Sequence, residues 1–118
     1  MTVQLPPALQ KQYQQLQQLQ NDYQLIAAQR QQLGVQLEEL KATLSAIEGL
    51  DDETEVYRST GSLLVRVKDI KALSGQLAER KEETEVRFDS LQKREKKIRS
   101  TLENLEKDFR TSLQKLSP

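Results

Sequence analysis

The side chains that most often carry out covalent or acid–base chemistry are scarce in this chain. It has no Cys and no His, which removes thiol catalysis, disulfides, the usual zinc sites and any His-based triad. Carboxylates are plentiful, with 18 Asp and Glu, but none is set apart from a solvated face. The stretch "TGSLL" at residues 60–64 lacks the Lys-Ser/Thr pair of a phosphate cradle and reads as a turn. No enzymatic activity, cofactor or metal site is expected. Two charged residues do stand out, Arg30 and Glu95. Each is the lone charge in the well-formed part of an apolar helical seam. Their chemistry is that of an ion pair, and it depends on the helices that hold them.

Alternating steps of three and four from Leu16 meet Leu19, Tyr23, Ile26, Arg30, Leu33, Leu37, Leu40, Leu44 and Ile47. All but Arg30 are apolar, with heptad position a at 16, 23, 30, 37 and 44. So long a seam is the mark of a coiled coil. Pro6 and Pro7 mark its start, since proline is tolerated in a helix's first turn. Gly49 marks its stop, taking the left-handed conformation. A second seam runs Phe88, Leu91, Glu95, Ile98, Leu102, Leu105, Phe109, Ser112 and Leu116. Upstream it weakens, with Leu77 at d but Lys81 and Thr84 at the next a and d, and Leu73 and Gly75 suggest a loosely wound first turn or two. Asp69 is the expected N-cap. The spacing predicts two helices, about residues 9–48 and 70–116, each about 60–70 Å long at 1.5 Å per residue.

The linker of about twenty residues suffices to turn the chain back, so the helices are expected to pair as an antiparallel hairpin. Facing residues then have numbers that add to about 121–128, because a layers meet d layers. Arg30 and Glu95 satisfy this, as a register-fixing ion pair or as two long side chains snorkelling from a thin seam.

Inside the linker, "EVYRSTGSLLVRV" at residues 55–67 is rich in β-branched and aromatic residues around a turn at Gly61. It predicts a β-hairpin with Leu63, Val65 and Val67 on one face and Leu64 and Arg66 on the other. Val56 and Tyr57 likewise put apolar groups on both faces. Such a hairpin is marginal alone, and both strands are edges. A two-helix coiled coil has no sheet to receive it, so its partners are expected on other chains, in a closed intermolecular barrel that removes the edges. The competing reading is a flexible β-rich loop, but "SLLVRV" left free would be an aggregation site. The fold class is therefore mainly α: one domain over residues 1–118, a long antiparallel two-helix coiled coil with a central oligomerisation hairpin.

Composition agrees. With 31% charged, 36% hydrophobic and 4% aromatic residues, the chain suits solvent-washed helices better than a globule with a thick core. Net charge is zero, so nothing in the balance points to nucleic acid or an acidic membrane. The charge is nevertheless uneven. Residues 1–37 are Gln-rich and carry only Lys11, Asp22 and Arg30. Residues 92–118 carry eight bases against four acids. In "KREKKIR" at residues 93–99, Glu95 and Ile98 take seam positions and the bases surround them without interleaved aromatics, so a solvated helix surface is favoured over nucleic-acid binding. A charged protein partner remains open there. "MTVQLPP" is no signal peptide, no segment is apolar enough to span a bilayer, and the absence of Cys fits a reducing cytoplasm.

Coiled coil, single hairpin and returning coiled coil in this length resemble the β-class subunit of prefoldin, of the archaeal type. The resemblance covers essentially the whole chain. It is carried by "EVYRSTGSLLVRV", similar to the family's Val-Tyr-Lys-x-x-Gly-x-Leu/Ile-Leu/Val-Val core, with Arg58 where Lys is common. "LPPALQKQYQQLQQLQ" at residues 5–20 looks like the family's N-termini, and "LQKREKKI" at 91–98 like its polar second helix. Lys81 and Thr84 depart from the Leu more usual there, and a single hairpin separates the chain from the α class.

The resemblance implies an ATP-independent chaperone, a hexamer of two α-class and four β-class subunits. Its hairpins form a double barrel, and its coiled-coil tips hold non-native proteins for a group II chaperonin. At the helix ends Leu5, Leu9, Tyr13 and Leu16 stand opposite Phe109, Leu113 and Leu116, with Tyr13 and Leu113 outside the a/d seam. Partly exposed apolar groups there suit a weak, promiscuous clamp, although a frayed coiled-coil end also shows some. The rival reading is a structural tether or filament former that holds no client.

Overall fold

The computed structural model describes residues 5–116. The element order is α1 (Pro7–Ile47), β1 (Tyr57–Thr60), β2 (Leu63–Arg66) and α2 (Ile70–Gln114). The helices run antiparallel, and the strands form the hairpin between them.

Local chemistry sets each boundary. The Pro6 carbonyl accepts from the backbone N–H groups of Leu9 at 2.9 Å and Gln10 at 3.0 Å. Pro7, which has no N–H to leave unpaired, takes the first helical position. At the other end Gly49 has φ +85°, and the Leu50 N–H returns to the Ile47 carbonyl at 3.2 Å. The linker is then gathered by Asp51, whose Oδ1 accepts from the Glu53 N–H at 3.1 Å and the Thr54 N–H at 3.0 Å. The Asp69 Oδ1 accepts from the Ala72 N–H at 3.0 Å and caps α2. With that cap, and with Ile70 buried at a d position, the first turns of α2 are regular helix. The loosely wound start expected from Leu73 and Gly75 does not occur, because one cap and one buried anchor outweigh the propensity cost of a single glycine, about 1 kcal/mol. The helix also ends at Gln114, so Leu116 lies beyond it.

The chain divides into two compact units, one made of residues up to Gln31 together with those from Asp89 onward, the other of Gln32–Phe88. In the first, Leu9, Leu16 and Ile26 are buried on α1 and Glu95 on α2. Leu91, Ile98, Leu102, Leu105 and Phe109 are half-buried beside them. Early residues of α1 meet late residues of α2: Tyr13 meets Phe109, Tyr23 meets Arg99 and Arg30 meets Glu95. These pairs lie in the register that the two heptads predict.

In the second unit Leu37, Ile47 and Ile70 are buried, as is Thr84. The Thr84 hydroxyl donates to the Arg80 carbonyl at 2.7 Å, which satisfies it without a partner across the seam. Lys81, at the preceding a position, is half-buried and reaches Glu85 Oε1 at 3.8 Å. Gly34 approaches Phe88 closely: a Cβ added there would lie 3.2 Å from Phe88 Cε2. Among the described residues no side chain falls below 2% exposure. That is the signature of a seam one layer thick, wetted along both flanks.

Candidate functional site

The hairpin is built for pairing. β1 and β2 are antiparallel with Tyr57 opposite Arg66, Arg58 opposite Val65, Ser59 opposite Leu64 and Thr60 opposite Leu63. A further bond from the Val67 N–H to the Val56 carbonyl, 2.8 Å, extends the ladder by one step. The connection is Gly61-Ser62. Gly61 has φ +60° and Ser62 does not have positive φ, the type II′ pattern whose twist matches the strands.

Opposed residues share a face. One face therefore carries Val56, Leu63, Val65 and Val67 with Arg58 and Thr60, and the other carries Tyr57 and Leu64 with Ser59 and Arg66. All eight strand residues are exposed; Leu63 is 67% and Leu64 72% accessible. On the face of four aliphatic side chains, Leu63 and Val65 stay open within the chain, while Val56 and Val67 are half-buried. Among the described residues the sheet has two strands, so no further strand lies beside its outer backbone groups.

The helix ends in the first unit form a second apolar surface. The Tyr13 and Phe109 rings lie 6.0 Å apart between centroids at 36°, and the Tyr13 hydroxyl accepts from Gln17 Nε2 at 2.8 Å. Tyr13 remains 45% accessible, and Leu116 is exposed. Leu5, Phe109 and Leu113 are half-buried. Leu9 and Leu16, expected among the partly open groups, are instead buried. Both sit at a positions, so their side chains are used up in holding the helices together, and Tyr13 at e stays open.

The third feature is ionic. Arg30 Nε pairs with Glu95 Oε2, and Arg99 Nη2 lies 3.5 Å from the other carboxylate oxygen. Glu95 is 6% exposed, so one buried carboxylate is shared by two guanidinium groups. The Arg99 guanidinium also lies 6.0 Å over the Tyr23 ring, within cation–π range. The sequence reading missed Arg99 and Tyr23 as members of this cluster. Its signal was the i, i+4 spacing of Glu95 and Arg99. Among the described residues no group of three or more acidic side chains is placed to hold a metal ion, and no helix is long and apolar enough to cross a membrane.

The family model for the prefoldin subunit matches residues 10–116. The prefoldin subunit beta of Thermoplasma acidophilum is 38% identical over 102 residues, 86% of this chain and 82% of that protein. The prefoldin subunit beta of Thermococcus onnurineus is 35% identical over 109 residues, 92% of this chain and 93% of that one. Among solved structures, the prefoldin beta subunit from Thermococcus strain KS-1 superposes with a TM-score of 0.81 at 32% identity. That likeness covers 99% of this chain and 100% of the other.

Proposed function

This chain belongs to the prefoldin family as a β-class subunit, and from that membership we propose that it works in an ATP-independent hexameric chaperone. Two α-class subunits and four copies of this chain make up the hexamer. It captures non-native proteins at the coiled-coil ends and delivers them to a group II chaperonin in the cytoplasm. The observation that carries the reading is the uncovered hairpin. Tyr57, Leu63, Leu64 and Val65 are all exposed in the single chain, and burial is worth about 1.5–3 kcal/mol for each such side chain fully covered. Strands from neighbouring subunits would pair the open edges, and the barrel so closed would bury the face of Leu63 and Val65.

The end surface around Tyr13, Phe109, Leu113, Leu116 and Leu5 supplies the client contact, with Leu9 and Leu16 beneath it as support. Its apolar groups are small in number, flanked by glutamines on α1 and by Lys107, Asp108, Arg110 and Lys115 on α2, which suits weak contact with many sequences. Arg30 and Glu95 set the register that brings these ends level. No nucleotide is needed, because capture by exposed apolar surface requires no chemical step.

The test is to assemble the chain with its α-class partner and dilute a chemically denatured protein into it without ATP, following aggregation by light scattering. Suppression at about one oligomer per client is the expected result. An assembled oligomer that leaves aggregation unchanged would favour the tether.

A further inference from the structure

Residues 93–99 of α2 carry five bases, Lys93, Arg94, Lys96, Lys97 and Arg99, and all five are exposed. Arg99 is engaged with Glu95. The other four make no ion pair among the described residues. Even Asp89, four residues before Lys93 and well spaced for one, forms none. Lys93 with Lys96, Lys93 with Lys97 and Arg94 with Lys97 are like charges three or four residues apart, which are neighbours on a helix surface and destabilise it. The chain therefore holds a concentrated, unneutralised positive patch on a molecule whose net charge is zero.

From this face we infer a second binding surface, one that takes an acidic stretch of an extended polypeptide. The inference rests on the proposed chaperone reading for where such a stretch comes from: a non-native client presents its acidic segments unfolded. The dimensions fit. Lys93 to Lys97 spans about 6 Å of helix axis, the length of about two residues of extended chain. Lys93, Arg94 and Lys97 lie within about 100° of the helix circumference, so a short acidic run can meet those three, with Lys96 flanking them beside Lys93. Nucleic acid is the weaker match. The patch is too short to follow a phosphate backbone over several steps, and the nearby aromatic ring, Tyr23, is half-buried under Arg99 rather than open for base stacking. An acidic run would be held by solvent-exposed charge pairs, weak singly and additive in number. Its main effects would be faster encounter and a preference among clients.

The test uses the assembled oligomer of the full chain and a labelled, unstructured Gly/Ser-rich peptide carrying a short Asp/Glu run. A matched peptide carries Asn/Gln in its place. The wild-type oligomer should bind the acidic peptide roughly threefold to tenfold more tightly at low salt, and the difference should vanish near 300 mM salt, where screening is strong. In K93Q/K96Q/K97Q, which keeps helix-forming residues, the preference should disappear while helix content and oligomer mass stay unchanged. Equal binding of the two peptides by the wild type, or a preference retained by the variant, would overturn the inference. So would single-stranded DNA of equal charge binding more tightly than the acidic peptide, because the face would then be a nucleic-acid site. Suppression of aggregation of an uncharged client is read separately. If that fails while the acidic preference stands, the capture mechanism at the helix ends is wrong and the basic face is not.

Discussion

Glu95 is the most enclosed charge among the described residues, and its stability depends on its two arginines. Removing one partner of a buried pair leaves the other unsatisfied, which costs more than the pair is worth. Arg30→Leu should therefore destabilise the chain by about 1–3 kcal/mol, tempered by the remaining Arg99 contact. Adding Glu95→Leu should recover part of that loss, with a coupling above about 0.5 kcal/mol in denaturant unfolding at fixed protein concentration. Strictly additive effects would mean that each side chain simply reaches water. Gly34 offers a second residue-scale test. Alanine there gains about 1 kcal/mol of helix propensity but presses on Phe88, so Gly34→Ala should change stability by less than about 1 kcal/mol. Gly34→Leu must displace the ring and should cost about 1–3 kcal/mol, read as a lower Tm. The Arg30–Glu95 pair was legible because a heptad seam exposes its polar exceptions. The Gly34–Phe88 contact was not, since close approach across a seam depends on side-chain rotamers as well as on register.

At the scale of elements, both helix starts and the stop of α1 were readable because caps are local chemistry: Pro7, Gly49 and Asp69 each act within one turn of their own position. The winding of the first turns of α2, as distinct from its starting point, was misread where a glycine was weighed without the buried Ile70 beside it. The hairpin was readable from its β-branched run, and its faces from the period of two. Its role is tested on the face shared by Leu63 and Val65. Changing both to Asp should leave the helices intact, because they meet their own seam. In the proposed barrel the two carboxylates would be buried without partners, at a cost of several kcal/mol. Sedimentation should then show a helical monomer of unchanged circular dichroism. An oligomer that survives would place assembly elsewhere.

For the whole molecule, a single chain carries less information. Its helices close on a seam one layer thick, while Leu63 and Leu64 of the hairpin and Tyr13 near a helix end stay open, so the proposed partner and client contacts rest on surfaces that the chain does not satisfy by itself. Leu9 and Leu16 illustrate the limit: apolar identity near a helix end suggested openness, and their a positions buried them. Tyr13, at e, is the open one, and Tyr13→Ser should weaken client protection modestly with no change in oligomer mass. The central claim is that assembly and capture use different parts of the chain. Deleting residues 1–10 and 111–118 removes Leu5, Leu9, Leu113 and Leu116 and leaves the hairpin whole. In the proposed capture mechanism, the lost end surface would be the main source of affinity for a client, at about 25 cal/mol per Å² of apolar surface. The decisive measurement is suppression of aggregation by that truncated oligomer, with its mass checked in parallel. An intact hexamer that protects far less well than the full-length one is the predicted result, and an intact hexamer that protects equally well would contradict capture at the helix ends.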